Sequence, residues 1–198
     1  MSGLIIFDRL DAKSAEFFDI CEDSYRNFQK SKTKIHKIKN KKSGKKWDDL
    51  LFVGAEMRHH FASTIVFGAM CLEAFIYDYA AHNVSDTYAK RYLDKLDLVS
   101  KWVVIPKLVT GKNFPTDGQA FERLKKLATA RNELLHHKSR PMPSNDKELE
   151  TLMDEIETED DDNTHNAYHA VKEVLTELRR LEGDDKNNHW WIFTDDNE

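Results

Sequence analysis

DDLLFVGAEMRHHFASTIVFGAMCLEAFIYDYAAH, residues 48 to 82, is the stretch that decides the fold. Phe61, Ile65, Leu72, Phe75, Ile76 and Tyr79 recur in it at three- and four-residue steps, the period of a helix with one apolar face. That face has to be covered, so the reading is a long central helix packed by others. Upstream, residues 11 to 30 repeat the rhythm with Ala15, Phe18, Cys21, Tyr25 and Phe28, which predicts an amphipathic partner helix. Downstream, residues 86 to 110 read as shorter helical pieces, with Pro106 expected to stop or kink the last of them near Ile105.

Thr110 to Gly118, TGKNFPTDG, has the residues of a loop. A helix is expected from Gln119, with Phe121, Leu124, Leu127, Ala128 and Leu135 as its apolar row, ending near Lys138 ahead of Pro141 and Pro143. A final helix capped by Asn163 or Thr164 would carry Ala167, Val171, Val174, Leu175 and Leu178 inward. Seven glycines and four prolines in 198 residues leave few turns, and β-branched alternation is scarce. The predicted fold class is therefore all-α: one helical bundle with a long central helix, charged connections and a C-terminal helix.

Two charged segments interrupt this pattern. Residues 30 to 46 hold nine lysines and no acid, and are expected to form an extended or frayed connection. Residues 146 to 162 hold ten acids and one lysine, and read as an exposed short helix or strap. Lys41, Lys42, Lys45 and Lys46 are candidates for gripping RNA phosphates, set against the plainer reading of a solvated connection. The tail HWWIF, residues 189 to 193, is apolar enough to dock on the bundle or on a partner.

Acids and bases nearly cancel to a formal charge of −5, so no global field points to nucleic acid or membrane. Cys21 and Cys71 fall in apolar periodic segments without metal-type spacing, which suggests buried thiols in a reducing compartment. The N-terminus lacks the basic region of a signal peptide, and no unbroken apolar run approaches the ~20 residues of a membrane helix. A cytoplasmic protein without a membrane partner is expected.

The helix from Gln119 contains Arg131-Asn132-Glu133-Leu134-Leu135-His136. An arginine, a polar residue after it and a histidine five places on resemble the ribonuclease signature of HEPN domains. CLEAFIYDYA at 71 to 80 and KWVVIPKLVTGKNF ahead of the Arg-Asn helix follow the element order of that family. The resemblance covers roughly residues 50 to 140. It implies a metal-independent endoribonuclease of a toxin–antitoxin or phage-defence system, with RNA as substrate, Arg131 and His136 as catalytic pair, a twofold dimer joining two motifs, and an antitoxin or other regulatory protein as possible partner. It also suggests that Glu73 on the central helix holds Arg131, with Asn132 and Lys138 in support. HEPN members that only bind leave a second reading, a catalytically silent module for a protein, nucleotide or RNA. A third is a helical regulator stabilised by a partner enzyme.

The residue types suit the chemistry on their own terms. Cleaving RNA without a metal requires a proton taken from the 2′-hydroxyl, a stabilised phosphate and a proton given to the leaving oxygen. Histidine moves protons both ways near neutral pH, and arginine offers paired donors to phosphate and keeps its charge. At about 100° per residue, Arg131 and His136 stand about 140° apart on a regular helix, so either Arg131 reaches round or the helix loosens near His136. Positive charge near a helix C-terminus is also favoured by the helix dipole alone, so the motif has a purely structural explanation too. His137, with His59 and His60, suggests a metal site, but adjacent histidines diverge and no ligand set completes a shell there; neither metal nor cofactor is expected.

Overall fold

The computed structural model describes residues 13 to 40, 46 to 139, 141, 143 and 145 to 183. These form an all-α bundle, and no strand occurs among them. The elements are α1 (Ser14–Lys39), α2 (Lys46–Asn83), a single turn α3 (Asp86–Tyr88) that continues into a π-turn (Ala89–Leu93), α4 (Leu98–Thr110), α5 (Gln119–Leu135) and α6 (Asp146–Glu182).

Helix α2 is the centre. Its predicted row Ile65, Leu72, Phe75, Ile76 and Tyr79 is fully buried, while Phe61 is partly buried against the same core. Helix α1 lies antiparallel along it: Phe17 meets Phe67 with ring centroids 5.8 Å apart, and the Cys21 thiol donates to the carbonyl of Thr64 at 3.4 Å. Helix α6 runs antiparallel to α1, with Tyr168 stacked on Tyr25 at 4.5 Å and Lys39 bridged to Glu157 at 3.2 Å. The inward row expected of the C-terminal helix, Ala167, Val171, Val174, Leu175 and Leu178, is wholly buried. Both cysteines are free and buried, and burial pushes the Cys21 thiol up to about 12, which makes it an inert apolar filler.

Gly68 allows the closest approach. A Cβ there would stand 3.3 Å from Cys21 Sγ and 3.4 Å from the carbonyl oxygen of Ala167, so α1, α2 and α6 meet where this side chain is missing. Gly68→Leu would have to push the α6 backbone away, and its unfolding free energy is expected to fall by ~1–3 kcal/mol. Gly68→Ala, in tight contact but gaining up to ~1 kcal/mol of helix propensity, should stay near wild type. Urea denaturation of the two variants measures both.

Several sequence expectations need correction. Residues 30 to 39 are not a frayed connection: α1 continues to Lys39 because Ser31 and Ile35 extend the buried rhythm of Cys21, Ser24 and Phe28, while the lysines between them face outward. The acidic strap and the C-terminal helix are one helix, begun at Asn145, whose Oδ1 accepts from the Glu148 amide at 2.9 Å, and not at Asn163 or Thr164. Acids on an exposed helical face repel one another, but Lys32 and Lys39 offset them at Asp161 and Glu157.

Pro106 does not end α4, which runs one turn further to Thr110 and is closed by Gly111 in the left-handed conformation (φ 73°). Its ring is buried, and the carbonyl of Pro106 accepts from Thr110 Oγ1 at 2.8 Å. Helix α5 stops at Leu135, short of Lys138. Leu135 is 56% exposed because Leu134, four residues on from the buried Ala130, holds the inward position. Residues 48 to 83 of α2 also meet the length and composition of a membrane span, although polar residues such as Glu56, Arg58, Glu73 and Asp78 keep any unbroken apolar run short. In the bundle 44% of its most apolar 18 residues are buried, the core side being covered by α1, α4, α5 and α6.

Candidate functional site

Arg131 and Asn132 occupy the last turn of α5, beside Glu73 of α2. One guanidinium nitrogen of Arg131 lies 3.8 Å from Glu73 Oε2, and the other donates to Asn132 Oδ1 at 3.4 Å. These are long contacts and the Arg131 side chain is about a third exposed, so most of its donors stay available to an anion. Glu73 thus meets Arg131 as the sequence suggested, but its nearer partner is Lys101. That lysine, only 2% exposed on α4, donates to Glu73 Oε1 at 2.8 Å and stands 3.7 Å from Asp94. Glu73 itself is 36% exposed, on a half-covered side of α2 shared with Val66 and Met70.

His136 lies just beyond the helix. It is the C-terminal cap of α5 (φ −111°, ψ 26°), with its backbone amide donating to the Asn132 carbonyl at 2.9 Å and its side chain exposed. The geometric conflict seen in the sequence is settled by the chain loosening at His136. Among the described residues, no hydrogen bond or ion pair joins the His136 side chain to Arg131 or Asn132.

His136 and Lys138 instead line a groove of about 880 Å³. Phe61 of α2, Leu134 of α5 and Ile156 of α6 give it apolar walls, and Arg58, Glu133, Glu159 and Asp160 supply charge, with His137 beside them. Arg131, Asn132 and Glu73 are not among its lining residues. The motif is therefore divided between an arginine beside Glu73 and a histidine on this groove. Of the candidate RNA-gripping lysines, Lys41, Lys42 and Lys45 lie outside the described residues, and Lys46 opens α2. The HWWIF tail also lies outside them.

Asp160 is the one acid of the groove with a large shift. Burial, then the neighbouring charge of Glu159, push its carboxyl up to about 6, while Arg58 pulls the other way. A folded-state value above the ordinary 3.8 means that the folded form favours the proton, so this contribution to stability is full below about 4 and is lost as pH rises through about 6. Asp160→Asn should therefore melt higher than wild type at neutral pH, and its advantage should shrink as pH falls from about 6 towards 4. Thermal denaturation across that range checks this; an advantage independent of pH would refute it.

Sequence reading missed three features. Lys101 was visible as a cation between Leu98, Trp102 and Ile105, all inward positions of α4. Asp160 is one of a run of acids, and only its step of four from Ile156 and seven to Ala167 sets it apart, a signal hidden while the acids were read as a separate strap. His165 and His169 follow an H-x-x-x-H spacing, and their rings sit 4.2 Å apart on α6; burial, then His165 and Arg123, lower the pKa of His169. Among the described residues no group of three or more histidine, cysteine or acidic side chains is arranged to hold a metal ion. No family model, curated protein or solved structure matches this chain.

Proposed function

We propose that the chain is a HEPN-type, metal-independent endoribonuclease of the cytoplasm, acting as a toxin or defence effector. The observation that carries this reading is the state of the motif. Arg131 lies 3.8 Å from Glu73 of a neighbouring helix yet keeps free donors, and His136, one turn further, stands beyond the helix end on an open groove. In this reading Arg131 holds the phosphate through paired N–H donors, and a histidine takes the proton of the 2′-hydroxyl. The 2′-oxygen attacks phosphorus, the bond to the 5′-oxygen breaks, and an acid gives that oxygen its proton, leaving a cyclic phosphate. One chain brings one motif histidine, so a twofold dimer that apposes two α5 ends supplies the second and brings the Arg131 of one protomer near the His136 of its partner.

The test is cleavage of total cellular RNA and of folded tRNA by the purified protein in EDTA, with its mass in solution measured alongside. Cleavage by a dimer that survives chelation is the expected result. A folded protein that leaves every RNA intact overturns the enzymatic reading. A silent binding module is the second reading, favoured by Glu133, Glu159 and Asp160 in the groove, acids that would repel a nucleic-acid backbone.

A further inference from the structure

The groove beside His136 has the features of a site for one small planar ligand. Its volume of about 880 Å³ lies within the range of roughly 300–1,000 Å³ typical of ligand pockets. Phe61, Leu134 and Ile156 come from three different helices and give it apolar walls, with an aromatic ring among them. Asp160 is a half-buried carboxyl in the same groove, and among the described residues its side chain makes no hydrogen bond. Burial makes an ionised acid costly in this place, and two good donors from a ligand would remove that cost. Arg58 and Lys138 lie on the same groove, with His136 and His137.

We infer that this groove binds a single unstacked guanine nucleotide, its base between the apolar walls with its donor edge on Asp160, and its phosphate against Arg58, Lys138 and His136. The choice of base follows from hydrogen-bond geometry. A carboxylate only accepts, through two parallel oxygens. Guanine alone has two adjacent donors, N1–H and the N2 amino group, pointing the same way. Adenine and cytosine each set one amino donor beside a ring acceptor that the carboxylate would repel, and uracil sets its single N–H between two carbonyls. Apolar and aromatic side chains against the base faces are sequence-tolerant and supply affinity without discrimination. For an RNA substrate the inference rests on the ribonuclease reading: it places the phosphate next to guanosine at His136.

Titration calorimetry of the full chain with GMP, AMP, CMP and UMP at neutral pH tests it, comparing wild type with Asp160→Asn and Asp160→Leu at matched folded concentration. Wild type is expected to bind GMP at least about tenfold more tightly than the other three, the lower part of the range for a paired hydrogen bond to a base edge. Both variants should lose that preference while keeping the weaker general affinity. Equal binding of all four nucleotides overturns the inference, as does a guanine preference that survives both substitutions, or no saturable GMP binding at millimolar concentration. RNA cleavage with no guanosine at the cut would sink the base site and leave the ribonuclease standing. Asp160-dependent GMP binding by a protein that cuts no RNA would do the reverse.

Discussion

His136→Ala is expected to lower RNA cleavage by about 10²–10⁴-fold, the usual contribution of a positioned general acid or base. The effect should be almost wholly on chemistry. The side chain is exposed, it makes no hydrogen bond among the described residues, and the backbone amide that closes α5 on the Asn132 carbonyl is present in alanine as well. Stability should therefore stay within ~0.5 kcal/mol of wild type, the ordinary range for a surface substitution. Cleavage unchanged in His136→Ala, with the same pH profile, would remove His136 from the mechanism.

Glu73→Ala is expected to be the most destabilising polar substitution near the motif. Its carboxylate is the closest partner of Lys101, which is 2% exposed, and the next acid, Asp94, stands at 3.7 Å. Removing one member of a buried pair typically costs ~3–5 kcal/mol because the other charge is left without compensation. Glu73 itself is 36% exposed and Asp94 remains, so the low end of that range is expected. Lys101→Met in the same background takes away the stranded charge and keeps the volume, and it should restore most of the loss. Urea denaturation of the two single variants and the double variant measures the coupling. Additive losses would mean that Glu73 and Lys101 stabilise the fold independently. Because Glu73 also lies beside Arg131, the rescued double variant separates folding from positioning: if Glu73 orients Arg131, stability returns while cleavage stays low.

How much of this was legible beforehand follows from which signals are local. The buried rows of α2 and α6 could be read directly, because a helical period of apolar residues states both the element and the face it hides. The same rule, applied through the lysines, would have extended α1 to Lys39, since Ser31 and Ile35 keep the step; net charge masked a period that was present. Pro106 and the acids of residues 146 to 162 misled for the opposite reason. Each carries a local cost, and each cost is offset by groups distant in sequence or in the following turn: Lys32 and Lys39 for Asp161 and Glu157, Gly111 and Thr110 for the end of α4.

By itself, then, the order of residues determined an all-α bundle around residues 48 to 82, two buried thiols and a six-residue segment with the right groups for phosphate chemistry. Only the tertiary structure decided how those groups are used. It gave Glu73 to Lys101 before Arg131, ended α5 one residue before His136 and set Asp160 of α6 in the groove with Arg58 of α2. The reason is range: helical periodicity is written within a few residues, whereas the partner of a charge and the walls of a groove come from segments that meet only when the chain has folded.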